Sequence, residues 1–344
     1  MTSGPRLAVV GAGLIGGRHA KMLAELGWLA ALVDPEPATA ALAEQYGARW
    51  YADLDRCLAD GIDGVIIATP NQLHATQGLA CIEKGAPILV EKPITDTVES
   101  GARLVEAANM AGVPLLVGHH RRHNPLIAAA KSAVDSGRLG RLTLVNAQFW
   151  LYKPDDYFHA DWRRQAGAGP VFINLIHDID LLRHLCGEIV RVDARQSSAQ
   201  RGFAVEDAAA ILLEFENGAL GAVTVSDATV APWSWEFASG ENPAYPKTET
   251  SCYQIGGTDG SLSVPDLTLW SQPQGRSWWK PIEGEQIAYS PGDPLMRQLQ
   301  HFADVIAGKA EPLVSGADGL RTLAAVEAIK RSASIGRSVE VAQI

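Results

Sequence analysis

A turn with three spaced glycines near the N-terminus constrains the fold of this chain more than any other feature. An apolar run, Leu7 to Val10, leads into Gly11-Ala12-Gly13-Leu14-Ile15-Gly16, and a helical pattern follows. Gly11 permits a tight turn, Gly13 lets the backbone approach a pyrophosphate, and Gly16 lets the helix pack close to the strand. The free N–H groups at the start of the helix would face the phosphates. The spacing therefore predicts a dinucleotide-binding site rather than an ordinary tight turn.

The acid at the end of the next apolar run indicates which dinucleotide is bound. Residues 29–33 lead into Asp34, whose carboxylate can accept hydrogen bonds from the adenosine ribose hydroxyls and would repel a 2′-phosphate. Pro35, Glu36 and Pro37 follow, so no arginine or lysine stands beside Asp34 to bind that phosphate. We therefore expect the cofactor to be NAD rather than NADP.

Composition and charge exclude several classes of protein. Of the 344 residues, 47% are hydrophobic and 20% are charged, which suits a folded chain with two cores. The formal net charge of −10 argues against binding to a phosphate backbone, so we expect no nucleic-acid partner. No apolar run approaches the ~20 residues of a membrane span, and no signal peptide is visible, so we expect no membrane partner.

The cysteines indicate the cellular compartment. They are scattered, with no C-x-x-C pair and no histidine at ligand spacing: Cys57, Cys81, Cys186 and Cys252. We interpret them as reduced thiols of a cytoplasmic protein, with neither disulfides nor a metal site.

The first part of the chain alternates between strand and helix patterns. Strand candidates cover residues 6–10, 29–33, 64–68, 87–90 and 114–117, and helical patterns cover 14–26, 38–46, 72–84 and 96–111. This alternation predicts a parallel sheet with helices on both faces, and ligands bind such sheets at the carboxyl ends of the strands. Polar groups stand at four of the five ends: Asp34, Thr69-Pro70-Asn71, Glu91-Lys92-Pro93 and Gly118-His119-His120.

The pattern changes after about residue 120. A helical stretch at 125–137 comes first, and two helical stretches close the chain at about 294–307 and 318–334. Between them, alternating strand candidates cover 142–150, 189–197, 208–215, 219–227, 251–256, 261–264, 267–271 and 286–289. Residues 231–250 are predicted to form a long loop near a ligand or a subunit contact. We therefore predict an α/β protein: an N-terminal Rossmann domain, residues 1–122, and a C-terminal α+β domain, residues 123–344, with a large, mostly antiparallel open sheet.

Six motifs stand in a recognisable order between residue 7 and about residue 186. They are Gly11 to Gly16, Ala68 to Asn71 with His74, Glu91-Lys92-Pro93, Gly118 to Pro125, Trp162-Arg163, and Gly167 to Asp180. In these motifs the chain resembles the Gfo/Idh/MocA oxidoreductase family. The resemblance implies an NAD(P)-dependent enzyme whose substrates are sugars, inositols, other cyclic polyols or their derivatives. It also implies that residues 123–344 bind the small-molecule substrate and form a homodimer or homotetramer through the open sheet, with the last helix packed back toward the first domain.

Lys92 is the first catalytic candidate. An enzyme that oxidises a carbinol passes a hydride to the cofactor, so the protein must handle the proton of the hydroxyl. Lys92 stands at a strand end, between Glu91 and Pro93, where a lysine can act on the reacting oxygen. The resemblance implies this catalytic role, and it implies that Glu91 contacts the nicotinamide ribose.

His177 is the second catalytic candidate. The segment 171–181 has the pattern of a largely buried helix, and a histidine there could accept or relay a proton at neutral pH. The resemblance implies that His177 is the catalytic histidine. Many family members carry an aspartate four residues earlier, where this chain has Ile173, so the usual Lys–Asp–His arrangement is incomplete. Asn174, one residue later, is expected to bind a substrate hydroxyl, and Asp180 is expected to support helix packing.

The remaining candidates follow from the strand ends and from the resemblance. The cofactor candidates are Gly11, Gly13, Leu14, Ile15, Asp34, Thr69, Pro70, Asn71, His74, Glu91, Lys92, Trp162 and Arg163. The substrate candidates are Lys92, His120, Arg122, Tyr157, Arg163, Asn174 and His177. For the polar stretch 119–125, a purely structural linker is an equally good interpretation of any single residue.

Three functions fit these features. The first is an NAD-dependent dehydrogenase that oxidises a secondary hydroxyl of a sugar-like or cyclic polyol substrate. The second is an NAD-dependent glycosidase that uses transient oxidation, which would not accumulate NADH. The third is a non-catalytic NAD-binding regulator, against which Lys92 and His177 argue.

Overall fold

The computed structural model describes residues 4–165 and 167–344, which form two compact units. The first unit runs to His120 and also contains Leu295–Leu323 and Ile344; the second contains Arg121–Pro294 and Ala324–Gln343. Each unit is built on one sheet. Because Leu295–Leu323 returns to the first unit, the two units are not contiguous halves of the chain.

A six-stranded parallel sheet forms the centre of the first unit. Its strands are β1 (Leu7–Val10), β2 (Leu29–Val33), β3 (Arg49–Tyr51), β4 (Gly64–Ile67), β5 (Ile88–Val90) and β6 (Leu115–Val117). Their order is β3-β2-β1-β4-β5-β6, and every neighbouring pair is parallel. The order reverses between β1 and β4, which opens a crevice at the carboxyl ends of those strands, where doubly wound sheets bind ligands. The predicted Rossmann fold is confirmed.

Helices link the strands of both units. In chain order they are α1 (Leu14–Leu26), α2 (Thr39–Gln45), α3 (Leu54–Ala59), α4 (His74–Glu83), α5 (Val98–Ala111), α6 (Pro125–Asp135), α7 (Pro170–Ile173), α8 (Leu175–Cys186), α9 (Trp235–Ser239), α10 (Pro294–Ile306) and α11 (Gly316–Ile335). None of the helices in the described part of the chain is long and apolar enough to cross a membrane.

The helix α10 explains why a late segment belongs to the first unit. Its Leu299 and Phe302 are fully buried in one cluster with Leu7 and Val9 of β1. At the start of β4, a Cβ on Gly64 would lie 3.0 Å from Phe302 and 2.7 Å from Ile306, so the glycine leaves room for the helix. Because α10 fills part of the core, the Rossmann unit is completed by residues far along the sequence.

A nine-stranded sheet forms the centre of the second unit. Its strands are β7 (Leu142–Trp150), β8 (Ile189–Ser197), β9 (Ala208–Phe215), β10 (Leu220–Ser226), β11 (Tyr253–Gly257), β12 (Gly260–Val264), β13 (Thr268–Ser271), β14 (Glu283–Gln286) and β15 (Val339–Glu340). Their order is β14-β13-β12-β11-β7-β10-β9-β8-β15. Only the β7–β10 pair is parallel among these neighbours, so the mostly antiparallel sheet is as predicted.

The two faces of this sheet differ in burial. One face packs in a single apolar cluster with α6, α8 and the end of α11, through side chains such as Ile127, Ile179 and Ile329. Side chains alternate across a strand, so the neighbouring residues point to the other face. That face, called the open face here, carries exposed apolar residues: Leu144, Leu212, Leu220 and Trp270.

The structure departs from the predicted elements at a few places. It adds β3, α3 and β15, which are too short to produce a clear periodicity. The last hairpin strand is β14, Glu283–Gln286, rather than 286–289, because its side chains are exposed and carry no apolar alternation. The predicted 231–250 loop contains α9, which Ser234 caps through the backbone N–H of Phe237. The single helix predicted over 171–181 is divided at Asn174 into α7 and α8.

Candidate active site

The glycine turn forms an open groove at the start of α1. Gly11 has φ of 88°, and a Cβ there would lie 2.8 Å from the carbonyl oxygen of Ala68. A Cβ on Gly16 would lie 1.8 Å from the carbonyl oxygen of Gly11, so the helix can touch the turn only because residue 16 is a glycine. By contrast, a Cβ on Gly13 would meet no atom within 4 Å.

This groove fits the pyrophosphate of a dinucleotide. Gly13 is the N-cap of α1 and supplies no side-chain acceptor, so the N–H groups of the first turn remain available to an anion. The next two side chains, Leu14 and Ile15, are 90% and 44% exposed. Exposed apolar side chains of this size at a helix start provide apolar surface beside the groove.

Asp34 is held at the same edge of the sheet. Its carboxylate accepts a hydrogen bond from the backbone N–H of Ala12 at 2.8 Å and another from that of Glu36 at 2.9 Å. The first bond orients the carboxylate toward the glycine turn. Each carboxylate oxygen keeps a further lone pair that can accept a ribose hydroxyl.

His74 joins two loops of the first unit. The ring is buried, and its Nδ1 and Nε2 lie 3.0 Å from the carbonyl oxygen of Pro93 and 2.9 Å from that of Thr69. The hydroxyl of Thr69 donates to Gln77 at 2.6 Å. The loop after β4 is thereby tied to the turn after β5. Pro70 and Asn71 continue that loop, and Pro70 is exposed.

Glu91 is a buried carboxylate beneath the Glu91-Lys92-Pro93 turn, whose Lys92–Pro93 peptide bond is cis. Its Oε1 lies 2.7 Å from Nε2 of His19, and its Oε2 accepts the backbone N–H of Lys92 at 3.3 Å. Burial raises the pKa of Glu91, but the hydrogen bond and charge of His19, with the charges of His120 and Lys92, outweigh burial and leave the pKa below its ordinary value. Lys92 itself is half-buried.

In the second unit, several residues around the break at Asn174 are less buried than the rest of α8. Ile173, Asn174 and His177 are half-buried, whereas nearly every other residue of α8 is buried. The backbone carbonyl of Asn174 accepts the N–H of His177 at 3.1 Å. The side-chain Oδ1 of Asn174 is buried and has no hydrogen-bond partner among the described residues. An unpaired acceptor beside a half-buried histidine can take a hydrogen bond from a hydroxyl group.

Asp178 belongs to a buried network in the second unit. Its Oδ1 accepts the hydroxyl of Tyr253, and Nη1 of Arg121 lies 3.8 Å away. Arg121 donates from Nη2 to Glu236 at 2.7 Å and stacks over the ring of Trp235. Burial raises the pKa of Asp178 to about 7, despite the charge of Arg121.

Arg122 forms a bidentate pair. Its Nε and Nη2 donate to Asp180 at 2.8 and 2.7 Å, and both side chains are buried. Arg122 was predicted as a substrate residue, and this bond orients its guanidinium. His120 belongs to the first unit and is half-buried.

Tyr157 is the centre of a cationic cluster. The guanidinium of Arg163 lies 4.1 Å from the Tyr157 ring centroid, and Nζ of Lys153 lies 4.9 Å from it. Trp162 is 58% exposed and lies beside the same guanidinium. Burial lowers the pKa of Lys153, although Asp227, 3.4 Å away, opposes the shift. Tyr157, Trp162 and Arg163 are predicted site residues, and Lys153, which precedes them in the same loop region, lies in the same cluster.

Comparison with known proteins identifies the family. Residues 5–119 match the model described as an oxidoreductase family with an NAD-binding Rossmann fold, and residues 127–263 match the GFO/IDH/MocA C-terminal domain. Inositol 2-dehydrogenase 2 of Saccharopolyspora erythraea is 31% identical over 355 residues, covering 97% of this chain and 95% of that protein. The chain belongs to the Gfo/Idh/MocA oxidoreductase family.

Solved structures of two oxidoreductases share this fold over nearly their whole length. An oxidoreductase from Agrobacterium radiobacter, in complex with NAD+, L-tartaric acid and magnesium, has a TM-score of 0.82 and 26% identity, covering 98% of each chain. The WlbA dehydrogenase from Chromobacterium violaceum, in complex with NADH and UDP-GlcNAcA, has a TM-score of 0.82 and 29% identity, covering 100% of this chain and 98% of that one. Together with the groove at Gly13, this family membership identifies the chain as an NAD-binding oxidoreductase.

His19 is the residue of the first unit that sequence reasoning missed. It lies on the buried face of α1 with Gly16, Ala20 and Leu23. A histidine among small and apolar positions of an amphipathic helix is a readable signal, because a buried ring needs a polar partner. The partner itself, Glu91, is not deducible from one sequence.

Proposed function

We propose that this protein is an NAD-dependent dehydrogenase that oxidises a secondary hydroxyl of a sugar, an inositol, or a related cyclic polyol or sugar acid. The observation that carries the proposal is the Glu91-Lys92-Pro93 turn. This turn presents a half-buried lysine at the carboxyl ends of the strands, the same edge of the sheet where the glycine groove lies. Similar proteins support the substrate class. One relative is an inositol 2-dehydrogenase, and one solved structure of similar fold contains L-tartaric acid.

The proposed chemistry divides between the cofactor and two side chains. NAD, when bound, would supply the acceptor for the hydride of the carbinol carbon. Lys92 acts on the reacting oxygen, and His177 accepts the hydroxyl proton, so the carbinol becomes a carbonyl group. Ile173 supplies no carboxylate to orient the imidazole. Asn174, the residue directly before α8 and three positions before His177, takes over a positioning or hydroxyl-binding role.

The proposed cofactor contacts lie in the first unit, except Trp162 and Arg163, which belong to the second. The glycine groove receives the pyrophosphate, and Asp34 accepts the adenosine ribose hydroxyls. Further contacts are assigned to Thr69, Pro70, Asn71, Glu91, Trp162 and Arg163, with His74 holding the loops that carry them. His120, Arg122 and Tyr157 are kept as substrate residues.

A substrate screen tests the proposal. The purified protein is incubated with NAD and a panel of inositols, sugars and sugar acids, and absorbance at 340 nm is followed. Accumulation of NADH in step with an oxidised product is expected. NAD-dependent cleavage of a glycoside without net formation of NADH would show that the protein is a glycosidase instead. Binding of NAD without turnover of any substrate would favour the function of a regulator.

The open face is proposed as the contact with a second copy of the chain in the cytoplasm. Leu144 of β7 and Leu220 of β10 are neighbours in register, and they are 64% and 53% exposed. Apolar side chains so placed favour association. A Leu144→Asp, Leu220→Asp variant should therefore be monomeric in sedimentation analysis where the wild type is a dimer or tetramer, and a monomeric wild type would contradict the assignment.

A further inference from the structure

Two elements of the first unit enclose the carboxylate of Glu91. From α1, His19, only 1% exposed, places Nε2 2.7 Å from Oε1. Because an ionised carboxylate can only accept, the ring nitrogen is the donor of this hydrogen bond. The other ring nitrogen, Nδ1, is buried and without a hydrogen-bond partner in the described chain, so the histidine makes this one polar contact.

The loop after β6 packs against the carboxylate of Glu91 on another side. A Cβ on Gly118 would lie 2.9 Å from the carboxyl carbon of Glu91 and equally close to Oε1. Contacts shorter than about 3 Å cannot be absorbed without a shift of the carboxylate. Gly118 therefore leaves the space that lets Glu91 reach His19.

The enclosed carboxylate is joined to the catalytic candidate. Oε2 accepts the backbone N–H of Lys92, so displacement of the carboxylate would disturb the turn that presents the lysine. The charged or titratable groups that act on Glu91 are His19 from α1, His120 after β6, and Lys92 of its own turn. Burial disfavours a carboxylate unless a donor compensates, and His19 is the closest donor.

We propose that His19 is a positioning residue for the dehydrogenase reaction: it keeps Glu91 ionised and in place, and thereby sets the geometry and charge around Lys92. The inference rests on the proposed function, because it requires Lys92 to act on the reacting oxygen. His19 touches neither substrate nor cofactor in this scheme. It links the helix of the dinucleotide turn to the turn of the catalytic lysine.

A matched pair of substitutions tests this role. His19→Gln keeps an N–H donor near the position of Nε2, and His19→Met keeps the apolar volume without a donor. The Met variant should lose about 10- to 100-fold in kcat, as expected when a hydrogen bond to a charged group is removed. The acidic limb of its pH–rate profile should move to higher pH, because Glu91 then takes up a proton more readily. The Gln variant should recover most of kcat and the wild-type profile.

Two further measurements separate positioning from packing. Met22→Leu, on the same helix, is the control for repacking and should leave kcat and the pH profile unchanged. The carboxyl ¹³C resonance of Glu91, assigned through Glu91→Gln, reports its ionisation in the cofactor-free protein. It should titrate at higher pH in His19→Met than in wild type, whether or not a substrate has been found.

The outcomes are distinct. Equal kcat and equal Glu91 titration in wild type and His19→Met would overturn the inference, as would equal losses in the Met and Gln variants. If His19→Met does not fold, Gly118→Ala carries the test, since it should lower kcat and shift the same resonance while His19 is intact. An inactive wild type with the expected ¹³C titration would refute the proposed function but leave the His19–Glu91 relation standing.

Discussion

Glu91 in the first unit and Asp178 in the second unit are both buried carboxyl groups that adjoin a catalytic candidate, yet their environments have opposite effects. Glu91 precedes Lys92, and the pKa of its carboxyl is lowered once the donors around it outweigh burial. Asp178 follows His177, and burial raises the pKa of its carboxyl to about 7. The first remains an anion at neutral pH, whereas the second keeps its proton well above the ordinary range of an aspartate.

The difference lies in the nearest donor. Glu91 has a histidine nitrogen at 2.7 Å and a backbone N–H at 3.3 Å, so both oxygens have partners. Asp178 has the hydroxyl of Tyr253 on one oxygen, while its Oδ2 is buried without a hydrogen-bond partner in the described residues. Its cation, Arg121, stands 3.8 Å away and donates instead to Glu236. A formal charge nearby does not keep a buried carboxyl ionised when the direct hydrogen bond goes elsewhere.

The first prediction removes the residue that Glu91 supports. Lys92→Ala should abolish turnover while NAD affinity stays within about tenfold, or ~1.4 kcal/mol, of wild type. The reason is that the glycine groove and Asp34 hold the cofactor, whereas Lys92 acts on the reacting oxygen. Single-turnover kinetics and calorimetric titration with NAD measure the two quantities. A near-normal kcat in Lys92→Ala would remove the lysine from the mechanism.

The second prediction removes the residue beside Asp178. His177→Ala should lower kcat by about 10²–10⁴-fold, the usual range for a positioned acid or base. The acidic limb of the pH–rate profile should flatten, because a protonated imidazole cannot accept the hydroxyl proton. Asn174→Ala should raise KM or lower kcat by a smaller factor. If His177→Ala loses only thermal stability and keeps the wild-type kcat and pH profile, the histidine is a packing residue.

The fold was predictable where the signal is local. Gly11, Gly13 and Gly16 specify the turn through their own backbone, and the apolar alternation of strands such as β9 marks them in sequence. The exposed strand β14 has no such alternation, and the break at Asn174 depends on which residues face the core. For these reasons the sequence did not predict the position of β14 or the division between α7 and α8 correctly.

Individual site residues could be predicted from the sequence, but their hydrogen-bond partners could not. Asp34 and Lys92 could be chosen because strand ends meet at one edge of a parallel sheet. The pairs His19–Glu91 and Tyr253–Asp178 join positions 72 and 75 residues apart, and no periodicity connects them. Whether a buried carboxyl is ionised depends on such pairs, so the contrast between Glu91 and Asp178 required the structure.

The third prediction uses Asp34, a carboxylate at the surface of the groove rather than in the core. The protein should bind NAD more tightly than NADP by at least about tenfold, because a 2′-phosphate would meet the carboxylate, and Pro35-Glu36-Pro37 after Asp34 supply no cation. Asp34→Ser combined with Pro35→Arg should narrow that gap. Calorimetric titration of both cofactors to both proteins is the test. Equal affinity of the wild type for the two cofactors would refute the role given to Asp34.

The last prediction compares the two buried carboxyls directly, through isosteric substitutions whose effects on stability should depend differently on pH. For Asp178 the folded pKa, about 7, lies above the ordinary 3.8. Between pH 3.8 and about 7, the carboxyl group of Asp178 is protonated in the native state but ionised in the unfolded chain. The free energy of unfolding of the wild type therefore falls as pH rises toward 7. Asp178→Asn never ionises, so its stability relative to wild type should rise over this range, by at most about 1.4 kcal/mol per pH unit.

Glu91 should behave in the opposite way. Its folded pKa lies below the ordinary 4.5, so its contribution is complete above that value and is lost only as pH falls through the folded pKa. The titration of Glu91 itself should consequently add no pH dependence to the stability loss of Glu91→Gln between pH 5.5 and 8.5. Thermal melts of both variants and wild type, in one buffer series at constant ionic strength and without NAD, provide the comparison. Parallel curves for the two variants across that range would contradict it, because they would mean that the donor at 2.7 Å and the cation at 3.8 Å leave the two carboxyls in the same state.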